Sequence, residues 1–396
     1  MHRPMHPPIR QLIALFILIS LLISLLSACA PNAAPPVASA NVVQAMSAAS
    51  TEGYARATAP RPFTFPGDHG PHPDYATEWW YYTGNLTDPD GAQYGYQLTF
   101  FRSAVSPFLK ERPSDLATNQ IYMAHFAITD GVANAHPSFD RFSRGAGGLA
   151  GATGDPIYEV WLEDWQAIES TPGVHTLRAR TDSANGPVAL DLTLTETRAP
   201  ILHGDTGLSQ KGPEAGNASY YYSLVGLETT GTLTLGDRTA DVTGLSWFDH
   251  EFGTSALSGD AVGWDWFSLQ LDNGAVLMFA QIRSQTGVSA TPFEGTLVAP
   301  DGSQRTLSPA DFTLTPTGQW TSPRSGATYP SGWTVTFPDL AIDLTITPLF
   351  QDQEMDVAFT YWEGAVNATG TYDGAPVSGR GYVELTGYAG DSGYQR

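Results

Sequence analysis

The chain has 396 residues, 42% of them hydrophobic and 11% aromatic, enough to bury more than one substantial core. Lys and Arg number 19 against 40 Asp and Glu, a formal net charge of -21 that repels phosphate backbones and excludes nucleic acid as a partner. A single cysteine excludes an intrachain disulfide, and 40 Gly with 29 Pro argue for many turns and few long helices.

At the N-terminus, Arg3 and Arg10 precede an apolar run over 12–26 that meets Leu26-Ser27-Ala28-Cys29. A positive n-region, an apolar h-region and small residues before a cysteine form a bacterial lipoprotein signal over 1–28. Cleavage leaves Cys29 as a lipidated N-terminus. The other reading, an anchor helix, needs ~20 apolar residues, and this run is short for that. Residues 29–61, rich in Ala, Pro, Ser and Thr with no hydrophobic period, read as a flexible linker. The expected location is extracytoplasmic, at a membrane through the lipid anchor.

From Phe63 onward the pattern is β. Strands are expected at 77–86, 93–102, 120–129, 158–168, 175–181, 188–196, 220–227 and 229–235. After a central stretch they continue at 264–271, 275–283, 295–298, 312–315, 334–337, 342–347, 356–361 and 379–385. In 188–196 the residues Val188, Leu190, Leu192 and Leu194 share one face, with Asp191, Thr193 and Thr195 opposite. A short helix is expected at 107–117. Many antiparallel strands at regular spacing mean sandwich or barrel, and a barrel of ~8 strands holds side chains or one small ligand. The expected fold is all-β: two consecutive lipocalin-like antiparallel β-barrel domains, over 62–253 and 254–396.

An internal echo supports two units. Glu78-Trp79-Trp80, an Asp-rich turn at 88–91 and Arg102-Ser103 recur as Asp265-Trp266-Phe267, a turn at 272–274 and Arg283-Ser284.

Four groups of residues bear on chemistry. In the loop 66–75, His69 and His72 stand near Asp68 and Asp74. They fit a structured entry loop or a metal site, and the lack of a third or fourth ligand by spacing favours the loop. Alternation puts Glu78, Trp80 and Tyr82 on one face, either lining a cavity or forming a core with Glu78 paired to Arg102. His125 is a lone histidine in an apolar strand, satisfied structurally or facing the same cavity as Glu78. Asp249-His250-Glu251, among Trp247, Phe248 and Phe252, is the densest ionisable cluster. Burial among rings raises a carboxyl pKa and makes it a proton donor at neutral pH; a polar knot between domains is the alternative. Gly-x-Ser-x-Gly, P-loop and dinucleotide fingerprints are absent, and no cofactor is implied.

The set Asp68-His69-Gly70-x-His72-Pro73, Thr77-Glu78-Trp79-Trp80-Tyr81, Tyr220-Tyr221-Tyr222-Ser223, Trp247-x-Asp249-His250-Glu251 and Gly263-Trp264-Asp265-Trp266-Phe267 resembles the AttH-like family. That family includes carotenoid 1,2-hydratase and proteins labelled "predicted secreted hydrolase". The resemblance covers about residue 62 to the end and implies two lipocalin-like domains. It also implies acid-catalysed addition of water to an apolar isoprenoid, with the motif histidine falling on His250. Phe252 stands where those hydratases place a Trp. The run 276–280 offers neither the Tyr nor the Asp of their next strand, which leaves Asp249 and Asp265 as acids. The expected site is therefore His250, Asp249, Asp265 and Glu78 as acid/base groups, with Trp80, Tyr82, Trp247, Phe252, Trp264 and Trp266 lining a hydrophobic small-molecule pocket. A non-catalytic carrier and a hydrolase are the rival readings.

Overall fold

The computed structural model describes residues 51–108, 114–254, 257, 261–284, 287–288 and 295–389. The expected signal peptide over 1–28, Cys29, the first part of the linker and the centre of the helix expected at 107–117 lie outside the described residues. All described residues fall within one compact unit.

Alternating apolar residues and tight turns build two antiparallel sheets. In the first, Thr77–Thr87 lies between Gln93–Ala104 and Arg238–Gly253. Gln120–Asp130 and Ser138–Arg144 extend one side. Ala218–Leu235, Gly186–Glu196, Val174–Ser183, Trp165–Thr171, Glu159–Leu162 and Ala150–Thr153 extend the other. Glu159–Leu162 curls back to touch Gln93–Ala104 and Ser138–Arg144, so the sheet nearly closes into a barrel. Its interior is packed solid with Trp80, Tyr82, Leu98, Phe126, Leu192 and Phe248, all fully buried.

The second sheet repeats the plan as a half-barrel. Ala261–Leu271 lies between Val276–Ser284 and Ala375–Leu385, which pairs with Tyr361–Tyr372. Phe267, Leu277, Trp333 and Val383 fill its concave face. The fold is lipocalin-like and all-β, as expected, and the internal echo has a physical counterpart. In each sheet the motif acid ion-pairs with the motif arginine on the neighbouring strand: Arg102 Nε to Glu78 Oε2 at 2.8 Å, and Arg283 Nε to Asp265 Oδ1 at 3.1 Å.

A third apolar cluster, including Tyr81, Tyr221, Trp247, Trp266, Met278 and Tyr382, joins the outer face of the first sheet to the second. This is where alternation matters for function. Residues 79, 81 and 83 of the first strand turn toward the second sheet, and residues 80 and 82 turn into the barrel. Tyr81 Oη donates to Glu363 Oε1 at 2.6 Å, while Trp80 and Tyr82 belong to the barrel core.

Two expectations are corrected, and one stretch left unassigned is placed. Residues 51–61, read as linker, pack along the barrel: Ala57 is fully buried, Ala55 donates its backbone N–H to Asp74, and Tyr220 Oη donates to the Ala59 carbonyl. The 356–361 strand is absent until Tyr361. Its amides are bound instead by side chains of the first sheet, Asp356 by Ser138 Oγ and Ala358 by Asp140 Oδ2. The acidic stretch at 244–253, for which no strand was expected, is the end of the 16-residue strand Arg238–Gly253. A central strand holds those acids because each finds donors.

Candidate active site between the two sheets

Consecutive residues of a strand face opposite ways, so Asp249 and His250 cannot form one acid/base pair. Asp249 and Glu251 face the second sheet. Phe248, His250 and Phe252 face into the first barrel or its end.

The inward set forms a closed network. Glu78, fully buried, is held by Arg102 Nε at 2.8 Å, His250 Nε2 at 2.9 Å and His72 Nδ1 at 2.8 Å. His72 Nε2 reaches Asp68 Oδ1 at 3.0 Å, and its ring stacks on Phe252 at 3.5 Å. Burial alone would raise the Glu78 pKa, but Arg102, His250 and His72 overcome it and hold the carboxylate well below its usual range. Burial would lower His72, but hydrogen bonds to Asp68 and Glu78 reverse that and raise its pKa, while His250, whose burial outweighs Glu78, is lowered. His250 Nδ1 meets Tyr222 Oη at 3.0 Å. Trp80 stacks on His250 and donates from Nε1 to the His69 carbonyl at 2.9 Å. Glu78, His250, Trp80, Tyr82 and Phe252 therefore hold the barrel end together and do not line the cavity between the sheets. Asp265 is likewise turned away from the cavity toward Arg283, Gln281 and Tyr388. Burial raises its pKa against those partners.

The outward set lines a cavity of about 80 Å³ between the sheets. That space takes several water-sized groups in the form seen here. Trp79, Tyr81, Phe101, Trp264 and Trp266 give it aromatic walls, and Asp249, Glu251 and Glu384 bring three carboxyls to it. Of the expected pocket residues, Trp264, Trp266 and Asp249 are there, and Trp247 stands behind as a hydrogen-bond donor. Trp79, Tyr81, Tyr221, Lys211, Glu384 and His125 were not placed there by sequence. Counting by twos from Asp249 and across the register to Tyr81 would have found the first of them.

Asp249 is 5% exposed. Tyr221 Oη donates to its Oδ2 at 2.8 Å, Trp247 Nε1 to its Oδ1 at 2.6 Å, and Ser223 Oγ also donates to Oδ1. Desolvation raises the Asp249 pKa to about 7 despite bonds from Ser223, Tyr221 and Trp247, with Glu251 adding to the rise. Behind it, His203 joins Ser223 Oγ at 2.6 Å and Thr296 Oγ1 at 2.8 Å, tying the acid to the second sheet. Glu251 is ion-paired with buried Lys211, whose own pKa burial lowers against the pull of Glu251. Glu384 accepts Trp264 Nε1 at 3.0 Å and stands opposite Glu363 in register. Both carboxyls are raised, by desolvation first, and for Glu363 by Glu384 next. The site thus holds acids that stay protonated near neutrality among rings that tolerate positive charge.

Two groups of donors among the described residues come close enough to hold an ion, with ligand atoms within 4.8 Å: His72, Glu78 and His250, and His69, Glu169 and Glu196. In the first, the ring nitrogens of His72 and His250 are already bonded. In the second, His69 Nδ1 is taken by Tyr222 Oη at 2.6 Å and Glu196 Oε1 by His175 Nε2 at 2.8 Å.

The AttH-like family model matches residues 56–388. A crystal structure of an AttH from Nitrosomonas europaea superposes with a TM-score of 0.75 at 36% identity, covering 84% of this chain and 99% of that one. Kievitone hydratase from Nectria haematococca superposes with a TM-score of 0.62 at 17% identity, covering 84% of this chain and 95% of that one, a likeness of fold. The dehydratase asqC from Emericella nidulans is 24% identical over 216 residues, which span 52% of this chain and 60% of that protein.

Proposed function

This chain belongs to the AttH-like family, and from that premise we propose that it is an acid/base enzyme of the hydratase–dehydratase type, with Asp249 as the proton-transferring residue. The observation that carries this is the Asp249 carboxyl itself: buried, without a cationic partner of its own, poised near pH 7, and facing an aromatic-walled cavity. A group with its pKa near the working pH gives and takes a proton with comparable ease. In the hydration direction the Asp249 carboxyl gives its proton to one carbon of an alkene. The cation left on the other carbon rests against Trp79, Trp264 and Trp266. A water oxygen bonds that carbon, and the water's proton returns to the Asp249 carboxylate, held ready by Tyr221, Trp247 and Ser223. Dehydration is the same path reversed. Relatives named hydratase and dehydratase support the reaction class.

The ligand class we propose is apolar and isoprenoid- or polyene-like, since the cavity wall is mainly rings. We further propose that Cys29 is lipidated and holds the protein at the extracytoplasmic face of a membrane. Changing Cys29 to Ala then moves the protein from the membrane fraction to the soluble one.

The test is to purify the protein from its own membrane extract, recover the bound compound in organic solvent, and return it to unmodified and Asp249→Asn protein in ¹⁸O-water. Uptake of ¹⁸O with the unmodified protein alone is the expected result. A compound bound but unchanged by both would make the protein a carrier.

A further inference from the structure

Among the described residues, five buried side-chain atoms lack a hydrogen-bond partner, and two of them, His125 Nε2 and Gln97 Oε1, belong to residues that line this same cavity. His125 is fully buried and Gln97 is 1% exposed. An unmet buried donor or acceptor costs about 1–3 kcal/mol, so two of them at one cavity call for a partner that an apolar molecule alone does not supply.

The surrounding bonds fix what each atom offers. Gln97 Nε2 donates to Thr99 Oγ1 at 2.6 Å and to Tyr361 Oη at 3.5 Å, which leaves the Gln97 carbonyl oxygen as a free acceptor. Tyr361 Oη accepts from Gln97, and we assign its own proton to His125 Nδ1 at 2.8 Å, the tautomer in which the phenol both accepts and donates. The imidazole is neutral, since burial pushes its pKa down to about 3, so its remaining proton sits on Nε2. Two residues of the cavity lining therefore carry one N–H donor and one C=O acceptor without a partner at this end. A carboxylate cannot donate to Gln97. An ammonium cannot accept from His125. A hydroxyl does both.

The register places this end relative to the acid. His125 faces Thr99, Thr99 faces Tyr81, and Tyr81 faces Asp249, one row across four strands. Three strand spacings of about 4.8 Å put the two backbones roughly 14 Å apart.

We propose that the cavity selects a neutral, mainly apolar molecule carrying a hydroxyl group, which donates to Gln97 Oε1 and accepts from His125 Nε2–H while its reacting bond lies at Asp249. This rests on the acid/base reading for the far end only; the hydroxyl clamp is a matter of binding.

Geraniol, a hydroxyl-ended alkene, serves as probe, against geranyl methyl ether, which accepts but cannot donate, and the parent hydrocarbon 2,6-dimethyl-2,6-octadiene. Binding to the full chain is read by quenching of Trp79, Trp264 and Trp266 fluorescence. The unmodified protein is expected to bind geraniol at least about tenfold more tightly than the ether or hydrocarbon, as one to two buried hydrogen bonds allow. Gln97→Leu, which removes the acceptor that only the alcohol can use, should erase the preference for geraniol over the ether and leave ether binding unchanged, whereas His125→Phe, which removes the donor to both oxygens, should weaken both and level the ether with the hydrocarbon. His125→Gln, which keeps a donor, should retain part of the advantage of both oxygen ligands over the hydrocarbon. Near-UV circular dichroism checks that each variant is folded; if one is not, the alcohol-to-ether ratio of the unmodified protein and of His125→Gln decides. Equal binding of alcohol and ether, or no binding of either, by the unmodified protein overturns the proposal. So does a folded Gln97→Leu variant that loses both ligands alike. An alcohol preference in a protein that transforms no alkene would overturn the acid/base reading and leave this one standing.

Discussion

Two faces of one strand, Arg238–Gly253, treat their charges in opposite ways. On the inner face His250 joins Glu78, Arg102 and His72, where every charge has a partner and the carboxylate is held down. On the outer face Asp249 has only neutral donors, and its pKa rises to about 7. Both Glu78 and Asp249 are buried, so burial does not separate them; the arginine does. At Glu78 the arginine keeps the buried acid an anion and makes it a structural tie. Where it is missing, the acid keeps its proton and can hand it on. The second sheet keeps the ion pair but not the lowered acid, because burial still raises Asp265 against Arg283. Asp265, beside Arg283, is a tie, and Glu384, held by the neutral Trp264 indole, faces the cavity.

The comparison breaks most sharply at Asp249. Replacement by Asn keeps the shape and removes the transferable proton, so turnover should fall about 10²–10⁴-fold, the span of general acid catalysis. Steady-state rates with the recovered ligand measure it. A residual rate near that of the unmodified protein would place the chemistry elsewhere. On the inner face the opposite pattern is expected. Arg102→Met leaves Glu78 as an uncompensated buried anion, at a cost of about 3–5 kcal/mol, visible as a lower denaturant midpoint. Arg283→Met should cost less, because Arg283 keeps 18% side-chain exposure against 1% for Arg102 and water can reach what is left. If Arg102→Met folded as well as the unmodified protein yet lost turnover, the inner network would be catalytic after all.

Much of the fold was legible because period-two alternation and turn residues are local. The echo of Glu78 and Arg102 in Asp265 and Arg283 was legible too, and it marked a repeated ion pair. What local pattern could not supply was the side of the sheet that mattered. The barrel interior is filled by Trp80, Tyr82 and Phe248, so the cavity lies on the outer face, and that follows only once the second sheet is in place. Asp249 and His250 looked like one site because they are neighbours in sequence, although alternation alone argues that they part. Glu384 and Lys211 carry no signal at all; their role comes from strands 135 and 38 residues away from Asp249 meeting it.

The acid on the outer face should also leave a mark on stability. Its native pKa of about 7 exceeds the 3.8 of a free carboxyl. Between those values the native state binds more protons than the unfolded one, so this group's contribution makes stability fall as pH rises. The change is at most about 1.4 kcal/mol per pH unit and is complete above pH 7. Asp249→Asn removes it. The melting temperature of the variant relative to the unmodified protein should therefore be more favourable at pH 8 than at pH 5. A gap that does not change with pH would mean that Asp249 is ionised throughout.

The smallest effect is the most specific. Ser223 Oγ donates to Asp249 Oδ1 and is, after desolvation, the strongest influence on that carboxyl, pulling its pKa down. Ser223→Ala should therefore let the pKa climb further. Since hydration needs the protonated acid, the rate falls as pH rises through that pKa, and in the variant the fall should move to higher pH by up to about one unit, the worth of one hydrogen bond. His203 loses a partner as well, so some stability goes with it, but lost stability lowers the whole profile and does not shift it along the pH axis. A profile that moves upward ties the titrating group to Asp249. A profile that stays in place would assign the proton to another carboxyl, with Glu384 the next to change.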